Sequence, residues 1–146
     1  MTICVQNRQR SVAIHTAAVK MRVGRIMTYL GCSDRELSVV FGSDGLLQEL
    51  NRTYRHKDRT TNVLAFPQHP TYEGEPATAM LGDVIVSLPT AAREAYELKQ
   101  SLEERVVYLI LHGILHLLGY DHERSVAQRR HMVALERRVL AYLDDK

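Results

Sequence analysis

Residues 101–122 read SLEERVVYLILHGILHLLGYDH, and the order of signals within them sets the architecture. Ser101 and Glu104 form a capping box directly ahead of an apolar run, so a helix is expected from about 102 to 118, with Gly119 ending it. The apolar stretch, Val106 to Leu118, spans thirteen positions and contains His112 and His116. A membrane-spanning helix needs roughly 20 apolar residues, so this one is a buried core helix.

Working outward, DVIVSLP (83–89) and NVLAFP (62–67) are short apolar runs, each ended by a proline, and read as core strands. Between them QHPTYEGEPATAM carries Pro70, Gly74 and Pro76, a composition that fits a mobile connection or flap. TICVQ (2–6) alternates weakly and LSVVF (37–41) is β-branched and aromatic, which adds two strands. Ser33 and Glu36 imitate a capping box before LSVVF, but Gly42, Asp44 and Gly45 leave no room for a helix there.

Helices are expected over 14–30, where Val19, Val23, Ile26 and Leu30 recur before Gly31, and over 44–53 behind Ser43 as N-cap. Another opens at Pro89 and runs to about 98. A last one follows the Ser125–Gln128 capping box, striped by Met132, Leu135, Val139 and Leu143. Four strands, about five helices and no internal repeat predict a single α/β (α+β) domain, an αβα sandwich on a four-stranded mixed sheet.

The 146 residues, 45% hydrophobic and 25% charged, suffice for one buried core and not for two. Cys4 and Cys32 form no CxxC pair, so neither a disulfide framework nor a thiolate metal site is implied, and both read as buried small residues. MTICVQNRQR lacks the pattern of a secretory signal, and the expectation is a cytoplasmic protein with no membrane partner. A net charge of +2 says little, but fifteen of the nineteen basic residues are arginine, whose planar fork suits phosphate. That excess is equally the mark of a solvated surface.

The histidines carry the chemistry. Residues four apart on a helix share a face, so His112 and His116 can reach one metal ion through imidazole nitrogens. Gly119 lets the chain turn back at the helix end, which would bring His122 in as a third ligand. The alternative is two core histidines, each with its own hydrogen-bond partner. The spacing resembles the metzincin protease stretch H-E-x-x-H-x-x-G-x-x-H, except that Gly113 stands where the protease keeps its glutamate base.

Three neutral imidazoles leave an open fourth position, and Zn²⁺, one ion per chain, is the metal expected; it can activate water without a carboxylate. Loss of the base weakens peptide hydrolysis more than phosphodiester cleavage, which mainly demands charge neutralisation by a nearby cation. Asp121 reads either as a hydrogen-bond acceptor behind a ligand imidazole or as an exposed turn aspartate. TYRHKDRTTN (53–62) has no period and reads as a loop. With Arg52 it gathers Arg55, Lys57 and Arg59 before a core strand, as a solvated loop or a functional rim.

YRHKDRTTNVLAFP (54–67), LGDVIV (81–86) and HGILHLLGYDH (112–122), in this order and at these separations, resemble the YbeY family of bacterial metal-dependent endoribonucleases. The resemblance runs over most of residues 1–146 and implies one metallohydrolase domain with a zincin-like metal helix. It implies metal ligands His112, His116 and His122, and an essential arginine at Arg55. It further implies single-stranded ribosomal RNA as substrate, in 3′-end maturation of small-subunit RNA and ribosome quality control, with the small subunit and its assembly factors as partners and no DNA. Thr60 and Ala65 depart from the proline and serine that many relatives carry, which bears on substrate preference more than on activity.

On this reading Arg55 binds the scissile phosphate, while Lys57 and Arg59 hold flanking phosphates. Two rivals follow from the residues. One is a metalloprotease that draws its base from Glu73 or Glu75. The other is a ribosome assembly factor whose metal only pins the helix end.

Overall fold

The computed structural model describes residues 2–68, 80–121 and 123–144. The chain runs β1 (Thr2–Asn7), α1 (Thr16–Tyr29), β2 (Glu36–Gly42), α2 (Asp44–Arg55), β3 (Val63–Pro67), β4 (Met80–Ser87), α3 (Leu88–Leu98), α4 (Leu102–Leu117) and α5 (Val126–Asp144). The strands form one mixed sheet in the order β1-β2-β4-β3. β1, β2 and β4 are parallel, and β3 returns antiparallel along β4.

Alternation along the strands sorts the sheet into two faces. Val39, Val84 and Ala65 lie across from one another and face the large core, where α1, α4 and α5 pack. Val40, Ile85 and Leu64 lie across from one another on the opposite face, covered by α2 through Leu47. Helices on both faces of a four-stranded mixed sheet are the expected sandwich, within one domain.

Three details differ from the sequence reading. Helix α2 reaches Arg55 and ends at His56, whose left-handed backbone (φ 58°) stops it, so Arg52 and Arg55 are helical and only 56–62 is loop. Strand β4 begins at Met80, three residues earlier than DVIVSLP suggests. An irregularity in its pairing with β2 falls there, and Gly82 (φ +151°) is pressed so near the Phe66 carbonyl that a Cβ would lie 2.5 Å from it. Cys4 is exposed, because it alternates with the buried Ile3 on an edge strand, whereas Cys32 is buried. The connection holding Glu73 and Glu75, residues 69–79, lies outside the described residues, and so does His122.

Candidate active site

Helix α4 is fixed at both ends by its own chemistry. The Ser101 hydroxyl accepts from Glu104 N at 3.0 Å and Glu104 Oε1 accepts from Ser101 N at 3.1 Å, closing the capping box. At the other end Gly119 N donates to His116 O and Tyr120 N donates to Leu115 O, both at 3.0 Å, the Schellman pairing. Gly119 sits at φ +99° with open space around it, so glycine is needed there for the backbone and not for room.

Between these ends His112 and His116 project from one face. Their Nε2 atoms are 3.2 Å apart, with the rings inclined at 71°. Two nitrogens ligating one tetrahedral ion at about 2.0–2.1 Å would be separated by about 3.3 Å, so the pair fits a shared metal. Gly113 faces the sheet. A Cβ at that position would lie 2.8 Å and 3.0 Å from the two γ-carbons of the buried Val84, so α4 rests directly on β4. A glutamate there would meet the core before it met a substrate.

Behind His112 stands a residue that the sequence reading missed. Glu136, on α5, is 5% exposed, and its Oε1 is 3.6 Å from His112 Nδ1. Tyr108 lies beside the same carboxylate, and burial followed by the charge of Glu136 pushes its phenol up to about 12. Tyr108 stacks beside the His112 ring with centroids 6.2 Å apart. Asp121 is engaged elsewhere: its Oδ1 accepts from Glu123 N at 2.9 Å and its Oδ2 is 3.6 Å from Arg124, contacts that shape the turn into α5.

The two histidines open on a cleft of about 950 Å³ whose opposite wall is the end of α2 and the loop after it. Arg55, Lys57 and Arg59 line that wall, and Asp121 lines the rim beyond Gly119. Arg52 is drawn away toward Asp58 at 3.8 Å. Among the described residues, none of Arg55, Lys57 and Arg59 forms an ion pair, which leaves three exposed cations facing the cleft. Asn51, 2% exposed, holds the loop: its Nδ2 donates to Arg59 O at 2.9 Å and its backbone oxygen accepts from Lys57 N at 3.2 Å. Farther along α4, Arg105 is clamped by Glu94 at 2.9 Å and lies 4.8 Å from the Tyr108 ring. No helix among the described residues is long and apolar enough to cross a membrane.

Fold and site together define a class: a mixed-sheet α/β domain in which a helix bearing paired histidines faces a cation-lined cleft. The solution structure of TM1509 from Thermotoga maritima shares the fold, with a TM-score of 0.66 over 97% of this chain and 89% of that one at 24% identity. The sequence model of the family described as endoribonuclease YbeY matches residues 4–144, and the chain belongs to that family. It is 48% identical to endoribonuclease YbeY of Geobacter metallireducens over 99% of this chain and 97% of the relative. To the Aquifex aeolicus protein of that name it is 47% identical over 80% of this chain and 76% of the relative. Membership supports an endoribonuclease role, with RNA as the substrate class that such a role implies.

Proposed function

We propose that the cleft is the active site of a metal-dependent endoribonuclease that cuts single-stranded ribosomal RNA in small-subunit maturation and ribosome quality control. The observation that carries this reading is the Nε2 pair, 3.2 Å apart, opening on a cleft lined by three cations without carboxylate partners among the described residues. His112 and His116 would hold a zinc ion together with His122, by the family's motif. When bound, such an ion supplies Lewis-acid chemistry, polarising a phosphoryl oxygen and making water a nucleophile near neutral pH.

The remaining tasks fall to this chain's own side chains. Arg55 binds the scissile phosphate and opposes the charge that grows on its oxygens, while Lys57 and Arg59 hold neighbouring phosphates and set the register. Glu136, its carboxylate 3.6 Å from His112 Nδ1, favours a proton on that nitrogen through its charge, so that Nε2 presents its lone pair to the site. Its carboxylate also brings one negative charge close to an otherwise neutral ligand set, reducing the cost of holding a divalent ion. Gly113, closed against Val84, argues against peptide hydrolysis with a base at that position.

The test is cleavage of a 5′-labelled single-stranded RNA by rigorously purified protein. The expected result is loss of cutting in both His116→Ala and Arg55→Ala. Unchanged cutting in both would trace the activity to a contaminating nuclease. Cleavage of an unfolded protein with RNA left intact would favour a protease. RNA binding with no cut by metal-loaded protein would favour an assembly factor.

A further inference from the structure

We infer that Tyr54 and Phe66 form a stacking subsite for an unpaired nucleobase of the bound strand, and that this platform contributes to the choice of single-stranded over duplex RNA. The inference rests on the reading of the cleft as an RNA site. Tyr54 is the penultimate residue of α2 and is 64% exposed, so its ring is within reach of a bound strand. It lines the same cleft as His112 and His116, and so does Phe66 on β3. The two rings meet with centroids 5.4 Å apart at an interplanar angle of 62°. That tilt fixes the tyrosine ring without covering it face to face, so an aromatic face stays available.

Among the described residues the Tyr54 hydroxyl makes no hydrogen bond, so the ring is held by its contact with Phe66 and not through its oxygen. The next residue is Arg55, and Lys57 follows at the start of the loop, both exposed to the cleft. A pinned ring amid phosphate-binding cations is the chemistry by which single strands are held: the cations track the backbone and the ring takes a base of any identity. A base inside a duplex already has both faces stacked on its neighbours and is denied to the platform.

The test compares two strands of equal length and charge, one a mixed-sequence oligoribonucleotide and the other a ribose-phosphate strand without bases. Affinity of the full-length, metal-loaded protein is read from the fast binding phase in stopped-flow fluorescence anisotropy, ahead of cleavage, with intact strand verified on a denaturing gel of samples quenched at the same times. Wild type is expected to prefer the base-bearing strand by about tenfold, in line with the contribution of one stacked base. Tyr54→Phe should keep that preference. Tyr54→Leu, which preserves apolar contact with Phe66, should bind both strands equally, with the salt dependence of binding and the thermal melt unchanged. Retention of the full preference by Tyr54→Leu overturns the subsite, as does a wild type that does not distinguish the strands. A wild type that binds neither strand overturns the RNA reading itself.

Discussion

Replacing Gly113 by alanine puts a methyl group into space that Val84 occupies. The new Cβ would be 2.8 Å from Val84 Cγ1 and 3.0 Å from Cγ2, against an optimum of about 3.5–4.0 Å between carbons, so helix and strand must part by roughly 0.7 Å. Val84 is fully buried and β-branched, and its side chain cannot swing aside easily. Overpacking of this kind costs about 1–3 kcal/mol, and the better helix propensity of alanine returns about 1 kcal/mol. The single variant should therefore lose roughly 1 kcal/mol of stability. Val84→Ala alone should lose about 2 kcal/mol through the methyl groups removed. In the double variant the alanine methyl enters the space vacated by valine, so the pair should be about 2 kcal/mol more stable than the sum of the singles predicts. Urea unfolding of the four proteins measures this coupling. Additive losses would mean that contact with β4 does not require glycine here.

Three further outcomes follow. Glu136→Gln should lower zinc affinity about 10–100-fold while leaving the metal-free protein folded, read by competition with a chromophoric chelator; unaltered affinity would remove Glu136 from the site. Lys57→Ala and Arg59→Ala should each flatten the slope of log affinity against log salt for single-stranded RNA by about 0.7, and an unchanged slope would mean that the residue touches no phosphate. Burial acts to raise the Asp44 carboxyl, but hydrogen bonds from Ser87, Thr90 and Arg93 outweigh it and hold the pKa below the ordinary value. The stability this lends is fully present above the unfolded pKa of about 3.9 and is lost as pH falls through the lowered folded value. The gap in urea midpoint between wild type and Asp44→Asn should hence be wide at pH 7 and narrower at pH 3; a gap of constant width would contradict it.

What the sequence disclosed and what it withheld divide along one physical line. Signals confined to a few adjacent residues were legible: the Ser101–Glu104 box, the i,i+4 histidines and the turn at Gly119 all have local causes. Polar residues that serve as core were not. Asn51 continues the inward stripe of α2 one turn after Leu47, and because an amide breaks the hydropathic pattern, the helix seemed to end before Arg55. Glu136 lies among Met132, Leu135 and Val139 on the buried face of α5, and a carboxylate in that stripe reads as surface until α5 is seen to cross behind His112. Cys4 has a simpler cause: its residue type suggests burial, whereas alternation along β1 makes it the outward neighbour of Ile3. The meeting of the α2 terminus with the α4 histidines across one cleft is a long-range outcome of the β1-β2-β4-β3 order, which no local pattern encodes.

In the proposed function the paired histidines and the basic wall of the cleft act as one metal-dependent RNA-cutting site. Titrating metal-free protein with zinc while following bound metal and single-turnover cleavage of a single-stranded RNA tests it most directly. The rate should rise in proportion to occupancy and level off at one ion per chain, and His112→Ala and His116→Ala should lose bound metal and cleavage together. Full cleavage by metal-free protein, or metal bound at full stoichiometry after either histidine is removed, would contradict it.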